Sequence, residues 1–279
     1  MTIRSGLEVC KNSLHSFAVF LIRYRYVDRL SFKHSNVVGK KIGVLGNGPS
    51  LVKDIQNFKK DNIDTFFSVN DSVTSEIFWE LRPRYHFLID PFFFVNPEND
   101  RIVAIRENLL RTDWDISLVV PRHYKSAATK IYGNITILYV PLNELRGRSI
   151  VEFLMFKMKL GMPRAQNVLV AALSYAIWSK CDIIYLFGAT HDWTKFMVVK
   201  SGKLYLRSHH YFDGAPNKSE PKPWVDAHGN ILRVSDALHK QGQMFRSYDW
   251  LASYLKTCNN PVKIYNQSDQ SLIDSFDVL

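Results

Sequence analysis

The sequence predicts an α/β fold: a Rossmann-like, mostly parallel sheet with helices on both faces, interrupted by one irregular insertion. Three observations predict it. From Lys41 onward, short runs rich in β-branched and aromatic residues alternate with stretches of helical period. The strand candidates are continuous apolar runs, as strands covered on both faces must be. A Gly-rich turn, Gly46-Asn47-Gly48-Pro49-Ser50, stands between the first strand and the first helix, the place where open α/β sheets carry a ligand-binding turn.

The chain of 279 residues, 46% hydrophobic and 22% charged, can bury one large core plus an appendage. Residues 1–40 read as a basic extension and 41–279 as the main domain. Of the ten net positive charges, six fall within residues 1–41, where eight Lys and Arg meet only Glu8 and Asp28. Leu7, Cys10, Leu14, Phe17, Leu21 and Tyr24 follow the period of one helical face, so the extension is predicted to be an amphipathic helix. It could lie on an anionic leaflet at the inner face of a membrane, or pack on the domain or on a second copy in a homo-oligomer. Nucleic acid fits less well, because the aromatics fall on the apolar face rather than among the basic residues. The run Phe17 to Ile22 is too short for a signal peptide core or for a span of roughly 20 apolar residues. Cys10, Cys181 and Cys258 are odd in number and far apart, and read as reduced thiols of a cytoplasmic protein.

Lys41–Gly46, Thr65–Asn70, Tyr85–Asp90, Ile116–Pro121, Ile135–Val140, Asp182–Gly188 and Val262–Asn266 read as strands. Helices are predicted near 51–59, 74–81, 100–111, 148–159, 165–180 and 235–257, the fifth introduced by Pro163. Residues 189–234 break the alternation and are rich in His, Trp, Pro, Gly and charge, with a hairpin predicted at Met197–Tyr205 through Ser201-Gly202. An insertion of that length reads as a lid or binding loop. Ser268 and Ser271, after the last strand, read as helix-starting residues.

In the Gly46–Ser50 turn, glycine permits a tight turn and a close ligand approach, and the amides before a helix favour an anion such as a phosphate. A dinucleotide fingerprint would need a third glycine where Leu51 stands, which counts against NAD or FAD. The next two strands end in Asn70-Asp71 and Asp90-Pro91. Ligands of open α/β sheets bind at the carboxyl edge, so Asn47, Asn70 and Asp90 are predicted to share one crevice, with helix capping the alternative for Asn70 and Asp71.

This order (strand, GNGPS, helix; strand, Asn; strand, Asp-Pro; then a long helix into a strand ending in Gly) resembles the bacterial lipooligosaccharide sialyltransferases and the related capsule and flagellin-modification glycosyltransferases. The resemblance spans roughly residues 41–215 plus the closing helix and strand. It implies a single-domain, GT-A-like variant of the fold that transfers sialic acid or a related acid sugar from a CMP-sugar donor to a hydroxyl of a surface glycan, with inversion and without a metal or other cofactor. It implies donor contacts from Asn47 and Asn70, with Gly46, Gly48 and Ser50 shaping the loop. A third asparagine of that family is replaced here by Asp90. The hydroxyl-and-glycine motif that opens the family's long helix is replaced by Arg164-Ala165-Gln166-Asn167, leaving Gln166 and Asn167 as candidate nucleotide contacts.

The resemblance further implies a histidine base from the insertion and tyrosines on the departing phosphate. His210 is the first candidate base, with Asp213 to orient it, followed by His209 and His191; Tyr211, with Tyr205, is the phosphate candidate. A neutral imidazole suits the task of taking a proton from an attacking hydroxyl. Asp113-Trp114-Asp115 spells the D-x-D pattern of metal-dependent transferases but precedes a strand, at the amino end of the sheet; a zinc site on His191, His209 and His210 would lack a further ligand. The rival readings are a metal-dependent UDP- or GDP-sugar transferase and a non-catalytic nucleotide-binding component of a glycan assembly complex.

Overall fold

A computed structural model describes Ala18 and residues 37–58, 62–207, 220–226 and 229–279. The expected amphipathic extension therefore lies almost wholly outside the described residues, as do His209, His210, Tyr211 and Asp213.

Seven strands form one sheet: β1 (Lys41–Leu45), β2 (Thr65–Val69), β3 (Tyr85–Phe87), β4 (Ser117–Pro121), β5 (Thr136–Val140), β6 (Ile183–Phe187) and β10 (Lys263–Asn266). Their order is β10-β6-β1-β2-β3-β4-β5, and every neighbouring pair is parallel. All seven expected strands are present. Their apolar runs are continuous because alternate residues enter different cores. Ile42, Val44, Phe67, Val69, Ile184 and Leu186 pack on one face, while Leu45, Phe66, Tyr185 and Phe187 pack on the other.

The first face is covered by α6 (Ser149–Lys157), α7 (Val168–Trp178) and α8 (Val234–Thr257). Every residue of α7 is buried. Fully burying one such aliphatic or aromatic side chain contributes about 1.5–3 kcal/mol, so this helix anchors the fold. Its Tyr175 ring meets Phe67, Tyr85 and Phe87, its Ser174 hydroxyl donates to the Val170 carbonyl, and its Trp178 indole donates to the Phe156 carbonyl. The second face carries α1 (Leu51–Asn57), α2 (Glu76–Leu81), α4 (Asp100–Leu110) and α5 (Lys125–Tyr132). α5 and the short α3 (Phe92–Val95) were not evident in the sequence, α3 being four residues long and α5 eight. No helix among the described residues is long and apolar enough to cross a membrane.

The insertion contains the expected hairpin, β7 (Met197–Lys200) and β8 (Lys203–Leu206), extended by β9 (Lys222–Pro223) into a small antiparallel sheet. Two expectations need correction. β3 stops at Phe87, so Asp90 sits in the following turn instead of at a strand tip. No helix follows Ser268 or Ser271. Their hydroxyls are used to hold the end of β6: Ser268 accepts from the Ala189 amide at 2.8 Å, and Ser271 donates to the Ala189 carbonyl at 2.7 Å.

The strand order reverses between β1 and β6, and the turns leaving these two strands are interlocked. The amides of Gly46 and Gly48 donate to the carbonyls of Phe187 and Gly188, each at 2.7 Å. A Cβ on Gly46 or Gly48 would stand 2.4 or 2.5 Å from the Gly188 oxygen, and Gly188 itself has φ +61°. Buried Asp54, on α1, completes the lock: its carboxylate accepts from the Ser50 hydroxyl (2.7 Å), the Gly188 amide (2.9 Å) and the Asp269 amide (3.0 Å).

Gly188→Ala therefore combines a left-handed backbone with a contact that no side chain tolerates, and should cost about 2 kcal/mol or more. Asp54→Asn turns an amide group toward donors and should cost about 2 kcal/mol. Both are checked by urea denaturation of the purified variants, with wild-type m-values expected.

Candidate functional site

A crossover point in a parallel sheet leaves a crevice beyond the carboxyl ends of the two diverging strands. Here it is a cleft of about 430 Å³, lined by the turns after β1, β2, β3 and β6 and by the start of α7. Gly46, Asn47, Gly48, Asn70, Asp90, Gln166, Asn167 and His191 all line it. Eight residues singled out in the sequence thus meet in one place, drawn from five separate segments.

Their employment differs from the expectation in part. The Gly46 and Gly48 amides are spent on the carbonyls leaving β6, so they are not available to cradle a phosphate. Ser50 gives its hydroxyl to Asp54 and lies outside the cleft lining. Asp90 lines the cleft while accepting from the Phe92 amide at 2.8 Å, an Asx turn that starts α3. Asp71 is gripped by Arg101 through two guanidinium nitrogens. Asp113 pairs with Arg82 at 2.9 Å on an exposed surface and does not line the cleft. Among the described residues, no three carboxylates, imidazoles or thiols cluster as a metal site would. Tyr205 lies in β8 and is not a lining residue.

Two asparagines are incompletely satisfied. Asn47 donates through Nδ2 to the Val69 carbonyl at 3.3 Å, leaving Oδ1 buried and without a partner. Asn70, held at φ 51°, likewise has a buried Oδ1 with no partner. A buried acceptor left unpaired costs about 1–3 kcal/mol, and both of these belong to residues that line the cleft.

Asn167 caps α7, its Oδ1 accepting from the Val170 amide at 3.2 Å, while Gln166 bonds Gln243 of α8 at 2.9 Å. Asn167 also joins a small buried network. His191 Nε2 is 2.7 Å from the Tyr248 hydroxyl and 3.1 Å from Asn167 Nδ2, which lies 2.8 Å from the same hydroxyl. The His191 imidazole stacks on Trp193, with centroids 4.8 Å apart and planes 20° from parallel. Burial pushes its pKa down to about 3 and raises that of Tyr248. His191 is therefore a neutral, fixed part of the cleft wall and a weak proton acceptor. Its backbone φ of 53° is unusual for a bulky residue, and strain of this kind clusters at ligand sites.

Sequence reasoning missed Thr190, Asp192, Trp193 and Phe196, which also line the cleft. Asp192 accepts from the Thr190 hydroxyl at 2.9 Å and faces Lys195 at 3.4 Å. The signal was available: these residues directly follow the glycine that ends the strand at the crossover.

No protein-family model and no curated protein sequence matches this chain. Among solved structures it is similar to the MAf glycosyltransferase from Magnetospirillum magneticum AMB-1, with 14% identity and a TM-score of 0.48 over 88% of this chain and 34% of that one. The chain thus spans about a third of that protein's length. It is also similar to the sialyltransferase CstII from Campylobacter jejuni, solved with a substrate analogue, cytidine-5'-monophosphate (14%, 0.49, over 87% and 85%). A mammalian sialyltransferase gives 14% and 0.36 over 91% and 78%.

Two buried imidazoles set a pH response. Burial lowers His86, which contacts the Ser68 hydroxyl at 2.9 Å, from 6.5 to about 4, and His191 from 6.5 to about 3. Between those values and 6.5 the unfolded chain holds more protons than the folded one, so stability is complete above pH 6.5 and falls as pH drops below it. Each imidazole contributes up to about 1.4 kcal/mol per pH unit. Urea midpoints measured at pH 7.5 and about 5 should differ, and His86→Gln should reduce that difference.

Proposed function

We propose that the chain is a glycosyltransferase that moves sialic acid or a related acid sugar from a CMP-linked donor to a hydroxyl of a surface glycan, without a metal ion. The observation that carries the reading is the pair of unpartnered amide oxygens, Asn47 Oδ1 and Asn70 Oδ1, at the cleft between β1 and β6. They call for a ligand with an amino group or vicinal hydroxyls, which a cytosine and its ribose supply. The order of motifs in the sequence, with its resemblance to sialyltransferases, supports the same choice. The N-terminus of the eleven-residue α7 also opens on the cleft through Val168 and Leu169, and the positive end of its dipole favours the donor's phosphate.

In this reading the acceptor oxygen attacks the anomeric carbon, the bond from that carbon to the phosphate oxygen breaks, CMP departs, and the configuration inverts. The acceptor's proton passes to a histidine of the insertion. We assign that role to His210, with Asp213 to orient it and Tyr211 to donate to the departing phosphate, on the sequence resemblance alone. His191, buried and engaged with Tyr248, positions the wall instead. Work at the inner face of a membrane, with the basic extension on the anionic leaflet, belongs to the same reading.

Calorimetric titration should give saturable binding of CMP in preference to UDP, GDP and NAD, unchanged by EDTA. Asn47→Ala and Asn70→Gly, the latter keeping the left-handed backbone, should each weaken CMP about tenfold, the loss expected for one hydrogen bond in a desolvated site. Tighter binding of UDP with Mg²⁺ would instead select the metal-dependent reading. His210→Gln should abolish transfer while leaving CMP affinity intact; a wild-type rate in that variant would exclude His210 as the base.

A further inference from the structure

We propose that the face at the amino ends of the strands, opposite the cleft, docks on an anionic lipid surface through a lysine cluster gathered around β1, β6 and β10. The inference takes its membrane setting from the reading above and none of its transfer chemistry.

The topology builds the cluster. Lys41 opens β1 and Lys263 opens β10, and both are in register with Ile183, the first residue of β6. Two strand spacings separate them, so their backbones lie roughly 10 Å apart. Lys40 stands just before β1, where its carbonyl accepts from the Asp182 amide at 2.9 Å, and the Gly39 amide donates to the Lys180 carbonyl at 2.9 Å. Lys159, just past α6, is near enough to Lys180 for the two charges to repel. Neighbours in this set stand on adjacent strands or adjoining helix ends, spacings comparable with the Debye length of about 8–10 Å, so they act on a charged surface as one patch. The acids beside them are Asp64, which accepts from the Lys41 amide at 2.8 Å, and Asp182.

Compensation of helix ends does not account for these cations. α7 has no basic residue in its last turn, and Lys41 and Lys263 stand at strand starts, which carry no comparable dipole. Lys159 and Lys180 have φ 60° and 58°, the left-handed conformation that usually belongs to glycine or asparagine past a helix. The chain thus accepts a strained backbone twice to set a long cation at this face. Burial, and then the neighbouring Lys180, hold the Lys159 ammonium down at about 8, a crowding of like charge that an anion would relieve.

The same face carries an apolar tip. The turn leading into β1 is pinned by buried Val37 and leaves Val38 64% exposed. An apolar side chain among lysines suits a lipid surface: the ammonium groups meet anionic headgroups and the valine enters between them. The chain also reaches the domain here from residues 1–36, whose six Lys and Arg oppose only Glu8 and Asp28. Since the cleft opens at the carboxyl ends of these strands, a domain seated this way turns its cleft toward water.

The test is co-sedimentation of the full chain with phosphatidylcholine vesicles, plain or holding about 30% phosphatidylglycerol. Wild type should bind the anionic vesicles alone at about 0.1 M salt and leave them at about 0.5 M. Lys41→Gln, Lys180→Asn and Lys263→Gln combined, the second suited to a left-handed backbone, should weaken that binding at least about tenfold. Lys125→Gln, Lys200→Gln and Lys203→Gln combined remove the same charge from exposed positions elsewhere and should weaken it less than about threefold. On vesicles, amide exchange should slow at residues 38–41 and 180–182 and not at 46–48 of the cleft. No binding by wild type, equal losses in the two triple variants, unchanged binding in the first, or protection at the cleft instead would each overturn the proposal; unchanged binding would leave residues 1–36 as the lipid contact. Preference for random-sequence RNA over anionic vesicles, lost with the same three lysines, would overturn it in favour of nucleic acid. If the first triple variant does not fold, the three single substitutions decide, each expected to weaken binding about twofold. CMP affinity should match wild type in both triple variants; failure of wild type to bind CMP would count against the transfer reading and leave the vesicle measurements to judge this face.

Discussion

The mutual approach of the turns leaving β1 and β6 is the constraint on which the site depends. Side chains are excluded from the crossing because Gly46, Gly48 and Gly188 lie backbone to backbone, with carbonyl oxygens where Cβ atoms would be. Asp54 then gathers three donors from the turn before α1, the β6 turn and the segment after β10, so a single buried carboxylate registers three pieces of chain against one another. Removing the carboxylate would leave all three donors without their acceptor in a low-dielectric setting. The cleft beside this crossing inherits its shape from it.

Much of the sheet was legible because its physical cause is local. A strand covered on both faces has to be largely apolar at successive positions, as β4 and β6 are; β2 and β3 depart from this through the buried pair of Ser68 and His86. The meeting of Asn47, Asn70 and Asp90 followed from topology alone, since each stands just beyond the carboxyl end of a parallel strand. What the glycines do there was not legible. A turn of this composition can present its amides to a phosphate or give them to a neighbouring strand, and only the position of Gly188, about 140 residues later, decides between the two.

The partners of Asp54 were hidden for the same reason. Its hydrogen bond to the Asp269 amide joins residues 215 positions apart, beyond the reach of any sequence pattern. Burial was similarly invisible at His191. Its neighbours in the chain, Thr190 and Asp192, are polar, yet the fold buries it beside Tyr248 from a distant helix, and that burial lowers its basicity. Asp192 and Trp193 are marked in the sequence by their place just after the crossover strand.

The order β10-β6-β1-β2-β3-β4-β5 has a consequence for how the chain is made. A ribosome that has delivered residues 37–140 has supplied five adjacent strands, with β1 at an open edge whose Val44 and Leu45 end up fully enclosed. That edge stays unprotected until β6 is synthesised and docks, and an exposed apolar strand is a template for pairing with another chain. Nascent fragments ending before residue 183 should therefore lean on chaperones, and the cleft cannot form before β6 and the turn after it are made.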